Sequence, residues 1–167
     1  MTIKVVTDSA SDLDTDIADR LGIIVVPCRV NFGTQSYKDG VDLSSDDFYS
    51  RLTEGALFPM TSQPPPGDFI KVYEEVGKDA DGVVSVHVSS KVSGTYNSAI
   101  QAKDQCNADC PIEIVDSAQA SMGLGLVAIV AAEAAQSGAS LAEVQNVAKD
   151  AAARSQAMFV LDTVEYL

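Results

Sequence analysis

Cations are scarce in this sequence: 11 Lys and Arg stand against 24 Asp and Glu, for a formal net charge of −13. A nucleic-acid partner requires a basic face that displaces counterions. An anionic membrane surface makes the same demand. The charge balance argues against both. Histidine is rarer still, with His87 alone in 167 residues. Zinc would therefore lack obvious ligands beside Cys28, Cys106 and Cys110. Three cysteines are also an odd number, and no signal-peptide pattern opens the chain, since Asp8, Asp12, Asp14, Asp16 and Asp19 interrupt any early apolar run. The expectation is a cytoplasmic protein with reduced thiols.

Long apolar runs are missing as well. The most hydrophobic stretch, Met122 to Ala132, is too short to span a bilayer and ends at Glu133. It reads as a helix buried on all sides. Catalytic signatures are absent: there is no GxSxG elbow, no Walker loop and no dinucleotide GxGxxG. His87 lies within Val86-His87-Val88, a strand pattern in which a buried structural histidine is the simpler reading. The carboxylate pairs Asp46-Asp47 and Glu74-Glu75 fall on helical patterns where solvation explains them.

What remains suits one domain with a core of its own. Short runs rich in Val and Ile mark strands at Ile3 to Thr7, Ile23 to Val26, Val83 to Val88, Ile112 to Val115 and Met158 to Leu161. They are near-continuously apolar, as strands covered on both faces are. The helical patterns between them imply crossovers. Ser44 with Asp47, and Ser140 with Glu143, resemble capping boxes. Gly22, Gly55, Gly77 and Gly138 sit where helices stop. Arg29 to Phe32 and Gln35 to Tyr37 flank Gly33-Thr34 as a small hairpin projecting from the sheet. The fold class is α/β: an open, mainly parallel sheet flanked by helices, with that hairpin added.

Polar residues follow each strand. Thr7-Asp8-Ser9, Ser89-Ser90 with Ser93-Gly94-Thr95, Asp116-Ser117 and Asp162-Thr163 would share one sheet edge, where open parallel sheets bind ligands. Helix capping is the plainer account of any one of them. Ser93 to Thr95 open a helix running toward Ala102, and a helix start suits an anion. A serine capping its own helix fits that pattern equally well. Thr61, Ser62 and Gln63 precede Pro64, Pro65 and Pro66 and would be displayed on a rigid loop. From those residues alone, a solvated loop is the simpler reading.

Six ordered segments carry a resemblance: VTDSASDL (6–13), YKDGVDL (37–43), TSQPPPGDF (61–69), SSKVSGTYNSA (89–99), VDSAQASMGLGL (115–126) and FVLDTVEYL (159–167). Together they resemble the DegV family. The resemblance implies a non-catalytic carrier without a cofactor. It would bind a long-chain fatty acid and present its carboxylate to a fatty acid kinase. Residues 1–167 would be the N-terminal α/β lipid-binding domain, with the family's second domain absent. Matched by motif, Thr61 and Ser93 would hydrogen-bond the carboxylate, with Ser62 and Gly94 beside them. Two departures stand out. Pro65 replaces a serine usual in the family, which would leave the helix containing Phe69 without a side-chain cap. The sequence stops at Leu167, where family members continue with Gly-Gly-Arg-Ile and a second domain. The rival reading is a phosphocarrier or enzyme subunit like those of dihydroxyacetone kinase. It would need a histidine or metal-binding carboxylates at the strand ends. A third is a pure interaction module.

Overall fold

The computed structural model describes residues 1–55 and 57–160. Four parallel strands form the central sheet: β1 (Ile3–Asp8), β2 (Ile23–Val26), β6 (Gly82–His87) and β7 (Ile112–Asp116), in the order β2-β1-β6-β7. The middle strands are covered on both sides, and all six residues of β6 are buried. This is why they read as unbroken apolar runs rather than as alternations.

Two helical layers cover the sheet. On one face lie α1 (Thr15–Leu21), α5 (Met122–Gln136) and α6 (Leu141–Arg154), packed on Val5, Val84, Val86 and Val115. On the other lie α3 (Pro66–Gly77) and α4 (Thr95–Gln105), packed on Val6, Val83, Ile112 and Ile114. The alternation of β6 between the two clusters follows from its two-residue side-chain period. Ser140 and Glu143 form a reciprocal capping box at the start of α6. Gly22 closes α1 in the left-handed conformation at φ 65°. Pro65 stands at the N-cap of α3 without a side-chain acceptor, as expected from its departure from the family pattern, and a proline occupies the first turn.

Two expectations need correction. α5 is not buried on all sides: Met122, Leu126 and Val130, spaced by four residues, face outward, with Leu126 53% exposed. Met158 to Val160 form no strand and are exposed, while Leu161, Asp162 and Thr163 lie outside the described residues. A hydrophobic tripeptide satisfies the same local pattern whether or not a neighbouring strand is present to pair with it.

The hairpin is real and larger than expected. β3 (Arg29–Phe32) and β4 (Gln35–Lys38) pair antiparallel, and a third strand, β5 (Pro59–Ser62), joins the other edge of β3. α2 (Ser45–Glu54), capped by the Ser44 hydroxyl, completes this second unit. Its core is small: Val30, Phe32 and Leu43, with Tyr37 and Phe48 against them. Arg51 lies over the rings of Phe32 and Tyr37 at 5.6 and 4.8 Å. An Arg29–Asp68 ion pair ties the small sheet to α3.

Candidate functional site

The central sheet changes winding direction between β1 and β6. The chain leaves β1 for β2 on one side, then returns through α3 to β6 on the other. The loops leaving β1 and β6 therefore part at their carboxyl ends, the position at which open α/β sheets form ligand crevices. The small antiparallel sheet stands over this opening. Between the two sheets lies a cleft of about 540 Å³, within the usual size range of small-molecule sites.

All four residues singled out from the sequence line this one cleft: Thr61, Ser62, Ser93 and Gly94. They arrive from opposite walls. Ser93 and Gly94 close the loop after β6 and begin α4. The Ser93 hydroxyl accepts the Thr95 N–H at 3.2 Å and lies 2.9 Å from the Thr95 hydroxyl. Gly94 is the N-cap of α4 and offers no side chain, so Ser93, one residue before it, satisfies the first N–H of the helix and lines the cleft as well. Thr61 and Ser62 correct the loop expectation, for they end strand β5, with Thr61 opposite Val30 and Ser62 opposite Arg29. A four-residue strand that begins at Pro59 and runs into Pro64 offers no alternating pattern to detect. Pro59 is tolerated because it is the first residue of an edge strand. The Asn31 amide donates to Ser62 Oγ at 3.3 Å.

Of the other strand-end candidates, Ser9 also lines the cleft, its hydroxyl accepting the Cys28 N–H at 3.0 Å, while Ser89, Ser90 and Asp116 are engaged elsewhere. The Ser89 N–H donates to the Gln119 carbonyl, and the Ser90 N–H reaches the Asp116 carboxylate at 3.2 Å. Asp116 also accepts the Ala118 N–H. These residues shape the rim and do not line the cleft. Several lining residues escaped the sequence reading as site candidates, among them Cys28, Asp39, Phe48 and Tyr49. Nothing local marks them, since only the arrival of the small sheet brings them over the strand ends.

The electrostatics of the lining are unusual for an anion site. Asp12 and Asp39 line it, and no Lys, Arg or His does so among the described residues. An anion here relies on hydroxyls, amides and the start of α4. The thiol of Cys28 is pushed up to about 11, chiefly by burial and then by the negative charge of Asp8. It is a poor nucleophile at neutral pH.

Beneath the cleft floor runs a fully buried chain of polar side chains. Asp8 Oδ2 is 2.9 Å from His87 Nδ1, His87 Nε2 is 2.7 Å from Ser85 Oγ, and the Tyr73 hydroxyl donates to Ser85 at 2.9 Å. Asp8 also accepts the N–H groups of Ala10 and Val88. The carboxylate only accepts, so Nδ1 carries a proton. With a neutral imidazole each hydroxyl donates once: Tyr73 to Ser85, and Ser85 to Nε2. His87 is thus the buried structural histidine that its strand context suggested. The chain ties the loops after β1 and β6 to α3.

Comparison with known proteins gives this geometry a context. The family model described as "Uncharacterised protein, DegV family" matches residues 2–167. A DegV domain-containing protein of Caldanaerobacter subterraneus is 39% identical over 165 residues, covering 99% of this chain and 58% of that protein. A solved structure described as fatty acid binding of a DegV family protein from Thermus thermophilus superposes with a TM-score of 0.82 at 39% identity, covering 92% of this chain and 54% of the other. The DegV fatty acid binding protein of Bacillus subtilis gives 0.83 at 32% identity, covering 90% and 53%. The chain spans a little over half the length of the relatives it matches. Its parallel sheet, flanking helices and sequence agree with theirs, and the chain belongs to the DegV family.

Proposed function

We propose that the cleft binds the carboxylate of a long-chain fatty acid, and that the chain serves as a non-catalytic carrier that presents this head group to a fatty acid kinase. One observation carries the reading. Two segments more than thirty residues apart in sequence, Thr61-Ser62 and Ser93-Gly94, line a single cleft at the switch point of the sheet. The relatives from Thermus thermophilus and Bacillus subtilis, with the same fold, are described as fatty-acid-binding proteins. In this reading Thr61 and Ser93 donate hydroxyl hydrogen bonds to the carboxylate, and Gly94 and Ser62 flank it. Exposed Val92, in the lining of the cleft, offers apolar surface to an acyl chain. Each buried methylene would contribute about 0.8 kcal/mol.

The rival phosphocarrier reading requires an accessible histidine or metal-binding carboxylates at the strand ends, and among the described residues no cluster of three such ligands occurs. His87 is fully buried and occupied on both ring nitrogens, which favours the carrier. The test is organic extraction of the purified protein followed by lipid mass spectrometry, with titration of palmitate against methyl palmitate. Recovery of fatty acid and a preference for the free acid support the reading. A stable phosphohistidine after incubation with ATP or phosphoenolpyruvate, without bound lipid, overturns it.

A further inference from the structure

The glycine at the start of α4 poses a question of space. Gly94 has an ordinary backbone, φ −77° and ψ 0°, which any residue can adopt. Its reason for being glycine lies outside the backbone. A β-carbon placed there would stand 2.9 Å from Nε2 and 3.0 Å from Cδ of Gln63. The side-chain amide of Gln63 therefore lies directly on the N-cap residue of the helix. Its position is built in from the other wall. Pro64 is buried and holds Gln63 extended. Gln63 lines the cleft together with Ser93. Gln63 is exposed, and among the described residues its amide makes no hydrogen bond to protein, which leaves it free to meet a ligand.

We propose that Gln63 is a further head-group contact of this cleft, its amide donating to the bound carboxylate over the start of α4, and that it makes the site selective for a free acid. The proposal deepens the fatty-acid reading and rests on it. The lining holds two carboxylates, Asp12 and Asp39, and no cation among the described residues. A bound carboxylate therefore depends on neutral donors, and a glutamine supplies two N–H groups without adding charge. Gly94 leaves room for that amide, which a side chain there would push aside. A glutamate at position 63 would place its own carboxylate at the helix start and compete with the ligand for the same N–H groups.

The experiment titrates the full chain and its Gln63→Ala and Gln63→Glu variants with palmitate and with methyl palmitate, following melting temperature in parallel. The Bacillus subtilis relative serves as positive control. Gln63→Ala is expected to weaken palmitate about tenfold, the effect of one hydrogen bond to a charged group. Gln63→Glu is expected to weaken it further, while its melting temperature stays at or above that of the parent. The ester is expected to change little in either variant. Gly94→Ala acts by pushing the flexible amide aside, so it should weaken palmitate less in the Gln63→Ala background than in the parent. Palmitate affinity unchanged in both Gln63 variants overturns the proposal. Equal losses for acid and ester overturn it too, because Gln63 would then only shape the cleft. A parent that binds neither ligand removes the fatty-acid reading, and this proposal with it.

Discussion

The two sheets of this molecule are built on different principles. In the parallel sheet, β6 is buried at every residue and lies between two helical layers. In the antiparallel sheet, three of the four residues of β5 are exposed, and the core beneath amounts to Val30, Phe32 and Leu43 with two aromatic neighbours. The first holds Ser93 and Gly94 on its loops, and the second holds Thr61, Ser62 and Gln63. The cleft is thus a seam between a heavily packed wall and a lightly packed one. Local stability follows the number of buried apolar contacts. The small sheet should therefore open at lower free energy than the large one, and a ligand entering the seam would have one wall able to move.

The largest expected effect falls on the heavy wall. His87→Ala leaves Asp8 and Ser85 buried without their shared partner and opens a cavity. It should lower global stability by on the order of 3 kcal/mol, measured by urea unfolding. A loss below about 1 kcal/mol would mean that water replaces the ring at no cost, and the packed wall would be less closed than described.

Phe32→Ala probes the light wall. Phe32 is buried against Tyr37 and Phe48 in a core small enough to collapse around the loss, so truncation should cost about 2 to 3 kcal/mol, below the roughly 3 to 5 kcal/mol of a Phe in a full core. The difference lies in where the loss appears. Hydrogen exchange should accelerate in β3, β4, β5 and α2 while β1 and β6 keep their protection. Uniform acceleration would show that the two sheets unfold as one unit and would break the comparison.

Thr61→Ala and Ser93→Ala take one hydroxyl from each wall. Each should weaken a fatty acid about ten- to a hundredfold in a binding titration. Ser93→Ala should also lower stability by about 1 kcal/mol, because its oxygen accepts the Thr95 N–H. Thr61→Ala, on an exposed edge strand, should leave unfolding unchanged. Unaltered affinity in both variants would place the carboxylate elsewhere.

The smallest effect is on pH dependence. The Cys28 thiol is raised from 9.0 to about 11 by burial and by Asp8. As pH rises, the unfolded chain loses this proton first. Below pH 9 both states keep it and stability is unaffected. Between 9 and 11 the unfolded state gains, and stability falls. Tyr73, also pushed up by burial, adds its own alkaline decline. The Cys28 share is therefore the difference between the parent and Cys28→Ser in urea midpoints measured across that range. At pH 8, iodoacetamide should modify Cys28 more slowly than free cysteine. Rapid modification would mean that the seam already stands open.

Much of the packed wall was legible in the sequence. The four strands of the parallel sheet, the caps at Ser44 and Ser140 and the helix-ending Gly22 follow from rules that act within a few residues: apolar runs, side-chain acceptors, left-handed stops. The errors came where a pattern requires a distant partner. Pro59–Ser62 is a strand because β3 lies beside it, and Met158 to Val160 is not one although its residues would suit a strand. The outward face of α5 was missed for a related reason. Hydropathy around the helix is nearly even, and only the placement of the sheet and α6 decides which side is covered.

The sequence by itself determined the α/β class, the acidic character, the absence of familiar catalytic signatures and the short motifs whose order resembles one family. Each is a property of composition or of neighbours along the chain. The tertiary structure alone decided that Ser93 lines a cleft, that Cys28 and Asp39 share that cleft, and that the amide of Gln63 lies on Gly94. These are relations between residues up to 66 positions apart, as for Cys28 and Gly94. They are created when β1 and β6 part at the switch point and the small sheet stands over the gap. No local rule encodes such a distance, because it is set by how two separately packed layers meet.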